Sequence, residues 1–331
     1  MITKTSYYIT DQTVPYHNLA LEEALFDMVE EGECILYLWQ NKHTVVVGKN
    51  QNARQECRMD LLEEEGGYLA RRLSGGGAVY HDLGNINFTF LVRKADYDVE
   101  KQCRVILEAV KSFGINAEQT GRNDLLAEGK KFSGNAFYES KDHCYHHGTI
   151  MVNVDKDIMP RYLNVSLEKM QSKGIKSVKS RVTNLSDLNP EVTIEKIKPA
   201  LIAAFEKVYG VKPQPLSKDV LPAEKIDRLT GKYASKEWKE GRLIPFSFEL
   251  HARYEWGDVT IRPHVEEGKI QEVSVFSDGM DALFIPKVEE ALTGCPFGKK
   301  EMLAAVLKIP VSDALQETMR KDIEKLIQDS F

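Results

Sequence analysis

A glycine-rich stretch that follows a β-like segment is the part of this sequence best suited to binding an anion. Arg71 and Arg72 precede it, and Gly75, Gly76 and Gly77 stand in succession. Successive glycines remove the side chains that would keep a ligand away from the backbone. Backbone N–H groups in such a turn can converge on phosphate or carboxylate oxygens, and guanidinium groups can add paired hydrogen bonds. The stretch indicates an anion site, with a glycine turn and solvated arginines as the alternative on these residues alone.

This stretch is neither of the familiar phosphate-binding loops. Neither GxGxxG nor GxxxxGK[ST] occurs in the chain, and the segment from Gly294 to Lys299 has the wrong spacing for either. We interpret that segment as a turn that begins a helix.

A pair of lysines beside a glycine turn is the second feature with chemical potential. Lys130 and Lys131 follow Gly129 in a predicted strand pair. Because side chains alternate along a strand, one ammonium group should point inward and the other to solvent. An inward lysine needs an anionic partner. Two exposed turn lysines remain the alternative for this segment in isolation.

Two further clusters of ionisable residues have a simple structural interpretation. A basic run at 169–181 contains no acidic residue and, by itself, predicts a solvated loop. The segment His143–His147 carries three histidines and a cysteine, which invites a zinc interpretation. Alternation along a strand would divide those side chains between two faces, so we predict no transition-metal site there.

The elements that must position these residues form a mixed α and β pattern. Residues 16–30 predict an amphipathic helix with Asn18 as its N-cap, and a second helix over 97–113 ends at Gly114. Short strands joined by tight turns outnumber helical crossovers, which favours a mixed or largely antiparallel sheet over a doubly wound parallel one. Beyond a boundary near 241–245, alternating strands and then helices predict a small α+β unit.

Composition excludes several broad classes of function. The chain has 331 residues, a formal net charge of −6 and 42% hydrophobic residues, so it can bury a large core but is not a general polyanion binder. We therefore expect no nucleic acid partner. Five scattered cysteines without CxxC spacing indicate neither a disulfide framework nor a zinc ribbon. The chain shows no leader and no long apolar run, so we expect a cytoplasmic protein without membrane attachment.

The glycine-rich and lysine stretches together resemble the lipoate-protein ligase A family, within the biotin/lipoate ligase superfamily. The pattern RRxSGGGAVxHDxGN is matched at every defined position from Arg71 to Asn85. Further family motifs follow in order along the chain. They are GRND at 121–124, KxSGxA at 131–136, HHGT at 146–149 and KGIxSVxSRVTNL at 173–185.

The resemblance implies a fold and a domain organisation. We expect an α+β catalytic domain like that of biotin and lipoate ligases over residues 1–243, with a mixed sheet. A small α+β accessory domain is expected over residues 246–331.

The resemblance also implies a two-step reaction and its participants. Lipoate attacks ATP, pyrophosphate leaves, and the lipoyl-AMP intermediate then acylates a lysine of a carrier protein. The expected acceptors are lipoyl domains of 2-oxoacid dehydrogenases or a glycine-cleavage H protein. The reaction uses ATP as co-substrate and is expected to require Mg²⁺, with Asp124 as a possible ligand; Asp82 is better interpreted as a turn-capping residue.

Site residues follow by motif match. The resemblance implies that Lys131 is the catalytic residue and that the basic run forms a lid over the adenylate. The expected ATP or adenylate contacts are Arg72, Gly77, Ala78, Val79, Tyr80 and Lys131. The expected lipoate contacts are Arg72, Ser74, Gly76, Lys131 and His147. The lid residues are Lys173, Lys176, Lys179 and Arg181.

Charge repulsion between the two anionic reactants is an independent reason to expect a lysine in this site. Bringing a carboxylate to about 3.5 Å from a phosphate is opposed by charge repulsion, and one ammonium group offsets that repulsion while aligning the reactants. A guanidinium is too wide to act as a point charge between two groups.

Two other functions remain open on the sequence. The same superfamily contains octanoyl or lipoyl transferases that form a thioester on cysteine, which requires an accessible thiolate of low pKa. Cys144 is the thiol nearest a motif. The second alternative is a non-catalytic lipoate-binding protein.

Overall fold

The computed structural model describes residues 1–121, 123–164, 181–241 and 244–331. In these ranges the strands are β1 (Lys4–Ile9), β2 (Glu33–Trp39), β3 (Thr44–Val47), β4 (Tyr68–Arg71), β5 (Val79–His81), β6 (Asn85–Arg93), β7 (Ala117–Thr120), β8 (Asp124–Ala127), β9 (Lys130–Glu139), β10 (His143–Met151), β11 (Gln214–Pro215), β12 (Leu250–Tyr254), β13 (Gly257–Glu266) and β14 (Lys269–Ser277).

The helices of the same ranges are α1 (Pro15–Met28), α2 (Ala53–Glu56), α3 (Met59–Glu64), α4 (Val99–Lys111), α5 (Met159–Tyr162), α6 (Leu185–Leu188), α7 (Ile194–Tyr209), α8 (Ala223–Ala234), α9 (Lys236–Glu240), α10 (Phe284–Leu292), α11 (Lys299–Val306) and α12 (Ala314–Ser330). Short 3₁₀ turns occur at Lys94–Asp96 and Lys218–Val220.

The main sheet is mixed, as the sequence predicts. Its described strands run in the order β11-β1-β2-β6-β10-β9-β8-β7. β1 is parallel to both β11 and β2, whereas the other neighbours are antiparallel. Hairpins join β8 to β9 and β9 to β10, which is why short turns dominate this part of the sequence. The α+β prediction is confirmed.

One face of this sheet is apolar. Leu36 on β2 and Phe90 on β6 are paired and fully buried, and α4 and α7 pack against their side. α4 presents Val105 and Ile106 to this core, and Asp98 caps it by accepting a hydrogen bond from the backbone N–H of Lys101. Burial of this apolar surface is the main favourable term in folding this unit.

The opposite face carries polar side chains at its centre. Trp39 pairs with Asn87, Thr89 pairs with His147, and Asn87 pairs with Thr149, so these residues share one side of β2, β6 and β10. α1 packs against the same strands. A sheet face with this many polar groups is a place where a ligand could be bound.

α1 begins earlier than the sequence predicts. It starts at Pro15, whose fixed φ and missing N–H suit the first helical position. Asn18 is therefore inside the helix and buried, where its side-chain nitrogen donates to the carbonyl oxygens of Gln12 and Gln40. The prediction that Asn18 is the N-cap is wrong.

The described chain forms two compact units. The first contains 1–46, 54–70 and 79–239, and the second contains 47–53, 71–78 and 240–331. In the second unit, β12, β13 and β14 form an antiparallel sheet with a core of its own that includes α10, α11 and α12. Trp256 donates its indole N–H to Asp322 of α12 at 2.8 Å, which ties the sheet to that helix.

A short sheet of β4, β3 and β5 carries the ends of the glycine-rich stretch. β3 pairs with β5 through Thr44 and His81, Val45 and Tyr80, and Val46 and Val79. No helix among the described residues has the length and hydropathy needed to cross a membrane.

Candidate active site

Arg72 organises the glycine-rich stretch from within. Its side chain is buried, its Nε donates to Ser74 Oγ at 3.0 Å, and its Nη2 donates to the carbonyls of Gly75 at 2.7 Å and Gly77 at 2.9 Å. Because these carbonyls are turned toward the guanidinium, the loop is held in one conformation. The same contacts place a permanent positive charge directly behind the glycines.

Arg71 is a second buried cation beside it. Its Nη1 donates to the carbonyl oxygens of Gly48, Lys49 and Gln51 at 2.7–3.0 Å. Burial, and next the charge of Arg72, lower the pKa of Arg71 to about 10, so it stays protonated at neutral pH. The positive charge of two guanidinium groups thus faces backbone carbonyls here, which leaves a field that favours an anion.

Gly75 and Gly76 lie against a turn of the same compact unit. The N–H of Gly76 donates to the carbonyl of Gly279 at 3.0 Å. A Cβ at Gly75 would lie 2.4 Å from the carbonyl oxygen of Met280, so no larger residue fits there without a shift of backbone. Gly75 is therefore required by close packing, and Gly76 by its φ of 89°, which disfavours other residues. A Cβ at Gly77 would meet no described atom within 4 Å.

The residues after the glycines differ in exposure. Gly77 is exposed, Ala78 and Val79 are half-buried, and Tyr80 is buried on β5. The ring of Tyr80 stacks on that of Tyr162 with centroids 5.7 Å apart. Burial is the largest cause of the raised pKa of Tyr80, which therefore remains a neutral phenol.

Lys131 stands at the start of β9 and forms an ion pair. Its Nζ lies 2.7 Å from Oδ1 of Asp124 on β8, while the neighbouring Lys130 is exposed. The turn between the strands uses Gly129 with φ of 73°, a left-handed conformation that glycine adopts without strain. The predicted alternation of the two lysines is thus present, with Asp124 as the anionic partner of Lys131.

Gly134 provides the space in which the Lys131 side chain lies. A Cβ at Gly134 would be 2.9 Å from Lys131 Nζ and 3.0 Å from its Cε. The N–H of Gly134 donates to Thr149 Oγ1 at 3.3 Å, so Gly134 is on the polar face of the sheet. Lys131 therefore extends over the face that also carries His147.

His147 belongs to a buried chain of hydrogen bonds on that face. Its Nδ1 lies 2.8 Å from Oε1 of Glu22, which also accepts from Thr89 Oγ1 at 2.6 Å. Thr89 in turn accepts from the indole N–H of Trp39 at 3.1 Å. With Nδ1 bonded to a carboxylate that only accepts, the N–H of the ring is on Nδ1, and the orientation of the ring is fixed.

His146 points to the other face and has separate partners. Its Nε2 lies 2.8 Å from Oδ1 of Asn135, and its Nδ1 lies 3.2 Å from the side-chain oxygen of Gln102. A neutral imidazole has one N–H, so Nε2 donates to Asn135 and Nδ1 is an acceptor. The Gln102 group at Nδ1 is therefore assigned as the amide nitrogen, which donates to it. Burial lowers the pKa of His146 to about 3, with the neighbouring His147 as a smaller cause.

Asn135 carries this network to the turn that precedes Asp124. Its backbone N–H and its side-chain nitrogen both donate to the carbonyl of Asn123, at 2.9 and 3.0 Å. The side-chain nitrogen of Asn123 donates back to the carbonyl of Asn135 at 3.1 Å. The backbone next to Asp124 is therefore anchored to the buried core.

Three of the four predicted lid residues, Lys173, Lys176 and Lys179, lie outside the described residues. Arg181 is described and half-buried. The residues that follow it are attached to β9, because Val182 bridges Lys131 and the N–H of Thr183 donates to the carbonyl of Lys131 at 2.9 Å. The segment after the basic run is thus fixed beside the candidate catalytic lysine.

Sequence reasoning overlooked Glu22 and the individual role of Gly134. Glu22 stands in a helix whose neighbours Leu21, Ala24 and Leu25 are buried, and a carboxylate there needs a partner. A carboxylate among buried apolar residues was therefore the sequence feature that indicated a role for Glu22. For Gly134 the signal was a glycine in the interior of a strand, which often marks close approach of another group.

Comparison with known protein families gives two matches that cover most of the chain. A family described as Lipoyl protein ligase A/B catalytic domain matches residues 14–206. A second, described as Bacterial lipoate protein ligase C-terminus, matches residues 244–327.

Individual relatives agree with these matches. Lipoate-protein ligase A of Psychrobacter cryohalolentis is 38% identical over 303 residues, 88% of each chain. The crystal structure of P. falciparum LipL1 in complex with lipoate superposes with a TM-score of 0.83 at 28% identity, covering 97% of this chain and 99% of that one. A lipoate-protein ligase A bound with ATP has a TM-score of 0.61 at 25% identity, covering 73% of this chain and all of that one.

Proposed function

The chain belongs to the lipoate-protein ligase family, and from that premise we propose that it uses ATP to activate lipoate and then transfers the lipoyl group to a protein lysine. The observation that carries this proposal is the ammonium group of Lys131, which extends over Gly134 on the polar sheet face. The relatives bound with lipoate and with ATP support both substrates.

Lys131 supplies the charge that the first step requires. Two unit negative charges about 3.5 Å apart repel each other by about 5 kcal/mol at an effective dielectric constant of about 20. An ammonium between the lipoate carboxylate and the α-phosphate offsets this repulsion and holds the two groups for in-line attack. In the second step the same group stabilises the oxygen that becomes negative when the acceptor amine attacks the mixed anhydride.

The glycine-rich stretch supplies the nucleotide side of the proposed site. Arg71 and Arg72 are buried cations whose guanidinium groups face loop carbonyls, so their field reaches the loop without being spread into solvent. We assign contacts to ATP or the adenylate to Arg72, to residues 77–80 and to Lys131. The exposure of Gly77, where a Cβ would meet no described atom, leaves its backbone open to a ligand.

The lipoyl side of the proposed site includes His147. Its ring is held by Glu22 and lies 4.8 Å from the ring of the buried Tyr145, so the orientation of this polar group is fixed. We also assign lipoate contacts to Arg72, Ser74, Gly76 and Lys131. Of these, Ser74 is fully buried and Arg72 already donates to loop carbonyls, so contact of either with lipoate would require the loop to rearrange. Gly76 already donates its N–H to Gly279, so its contact with lipoate would require that hydrogen bond to break.

Mg²⁺ with ATP fits the residues present, with Asp124 as its protein ligand. Asp124 offers a partly exposed carboxylate. Asp82, by contrast, already accepts two backbone N–H groups, from Gly84 and Asp155. Mg²⁺ is commonly held by one or two carboxylates, waters and substrate phosphates, and it neutralises phosphate charge when bound.

The proposed acceptors are lipoyl domains of 2-oxoacid dehydrogenases or a glycine-cleavage H protein. A bipartite lipoate protein ligase of Thermoplasma acidophilum, studied with its E2 lipoyl domain, has a TM-score of 0.63 with 73% of this chain at 27% identity. We place the reaction in the cytoplasm, because all five cysteines are free thiols and free thiols suit a reducing compartment.

The cysteine-transferase alternative is disfavoured by the environment of Cys144. Its side chain is fully buried on the apolar face of β10. Burial, and next Glu139, raise the pKa of Cys144 to about 11. A thiol that is both inaccessible and protonated at neutral pH is a poor nucleophile.

One assay tests the proposal against both alternatives. An apo lipoyl domain is incubated with the protein and lipoate, with and without MgATP, and its mass is measured. We expect the lipoyl mass increase only with MgATP, and unchanged with Cys144→Ala. Acylation from an acyl-carrier donor that Cys144→Ala abolishes would establish a transferase instead. Lipoate binding without any transfer would establish a binding protein.

A further inference from the structure

The ion pair between Lys131 and Asp124 is partly exposed, so a ligand can exchange with it. The side chains are 36% and 38% exposed, and Nζ lies 2.7 Å from Oδ1. Ion pairs in this setting are weak, because water solvates the separated charges well. An anionic ligand that reaches Lys131 must therefore compete with Asp124 for the ammonium. The free energy of the ion pair that it must replace is small.

Asp124 is held in place more firmly than its exposure suggests. It pairs with Gly134 across β8 and β9, and the ladder shifts register between Leu125 and Leu126. That irregularity lets Lys131, three positions before Gly134, extend back toward Asp124. The residue before Asp124, Asn123, is fixed by its reciprocal hydrogen bonds with Asn135. The carboxylate is thus a fixed partner on an anchored backbone.

We propose that Asp124 is a positioning residue that serves as the resting counter-ion of Lys131, a role that rests on the proposed function. It holds the ammonium over Gly134 until the carboxylate of lipoate or a phosphate competes for it. Lysine has three N–H donors, so the ligand can share the ammonium before it replaces Asp124. The pair has two opposite effects: it orients the reacting cation and it weakens binding of an anion.

Removal of the carboxylate separates these two effects. In Asp124→Asn, the shape is kept and the negative charge is lost. We expect lipoate alone, measured by titration calorimetry in EDTA, to bind about two- to fivefold more tightly, as the loss of a partly exposed ion pair allows. In the same variant we expect single-turnover formation of lipoyl-AMP with MgATP to slow by about tenfold or more, because the ammonium is no longer held in line.

Glu139→Gln is the matched control. Glu139 is on the same strand as Lys131 and also forms an exposed ion pair, with Lys94. The substitution removes the same charge far from the polar face. We expect it to leave both the lipoate dissociation constant and the rate of adenylate formation at the wild-type values.

The outcomes distinguish the inference from the function on which it rests. Tighter lipoate binding with slower adenylate formation supports the counter-ion role. Unchanged lipoate binding in EDTA overturns it, whatever happens to the rate, since a residue that acts only as a metal ligand would give that result. Weaker binding together with a lower melting temperature also overturns it, in favour of a structural role. If wild-type protein forms no lipoyl-AMP, the proposed function itself is wrong.

Discussion

At the scale of single residues, the position of the Lys131 ammonium depends on the lack of a side chain at Gly134. Gly134 leaves the space that Nζ and Cε occupy, and its φ does not lie in the left-handed region. Gly134 is therefore required for the space it leaves, and alanine could adopt its backbone conformation. A methyl group there would displace the flexible end of Lys131 and leave the strand intact.

Gly134→Ala should therefore reduce the rate of adenylate formation while changing stability little. A misplacement of about 1 Å in a reacting group can cost about 100-fold in rate, and we expect a loss of about 10- to 100-fold in kcat. Gly231→Ala on α8 is the control, because a Cβ there meets no described atom within 4 Å. The account of Lys131 would be wrong if Gly134→Ala kept full kcat with an unchanged melting temperature.

At the scale of elements, β10 directs two adjacent histidines, His146 and His147, to opposite faces of the sheet. His147 faces the polar side and bonds Glu22 of α1, while His146 faces the core and bonds Asn135 of β9. The alternation along a strand, which sequence reasoning used correctly, produces this division. The buried ring of His146 thus connects α4 to the β8–β9 hairpin that carries the candidate catalytic lysine.

The low pKa of His146 makes stability depend on pH. The pKa is about 3 in the folded protein and near 6.5 when the chain unfolds. Between these values the unfolded state binds the extra proton, so the free energy of unfolding falls as pH falls, by at most about 1.4 kcal/mol per pH unit. The stability that the neutral His146 ring contributes is fully present above pH 6.5, the pKa of histidine in the unfolded chain.

His146→Gln should flatten this dependence, since glutamine does not titrate. Urea unfolding at about pH 7 and about pH 5 measures it, and the wild-type protein should lose more stability than the variant over that interval. Parallel losses in the two proteins would show that His146 is not the titrating group.

The sequence predicted the elements and the local chemistry better than the contacts between distant segments. The mixed sheet, the alternation of Lys130 and Lys131 and the strand over His143–His147 follow from local patterns. The bond between Glu22 and His147 joins residues 125 positions apart, and no local pattern specifies such a pair. The start of α1 at Pro15 was missed because Asn18, a common cap, is instead a buried donor to two loops.

At the scale of the whole molecule, the glycine-rich stretch folds as part of a unit assembled from three separated segments. Residues 47–53, 71–78 and 240–331 form this unit. Arg71 bonds the first segment, and Gly76 bonds Gly279 of the third. Asn50 accepts from the N–H of Ser277 at 2.9 Å. The conformation of the stretch therefore depends on residues far away in the chain. For this reason the residues of the stretch alone could not exclude the alternative of a simple glycine turn with solvated arginines.

Gly75→Ala should loosen this unit, because a Cβ there would lie 2.4 and 2.5 Å from two backbone oxygens of the third segment. We expect faster amide hydrogen exchange at Gly76 and at Ser277, whose N–H groups bond across the segments. Gly77→Ala, two positions away, should leave both protections unchanged. Equal exchange in the two variants would contradict the packing role of Gly75.

The central claim is that the ammonium of Lys131 makes lipoyl-AMP formation possible. It is tested most directly by lipoate-dependent exchange of labelled pyrophosphate into ATP, which reports the first step without an acceptor protein. We predict exchange by the wild-type protein, and a loss of about 1,000-fold or more for both Lys131→Ala and Lys131→Arg, since a guanidinium cannot replace a point charge between two anions. Exchange at the wild-type rate by Lys131→Ala would contradict the account.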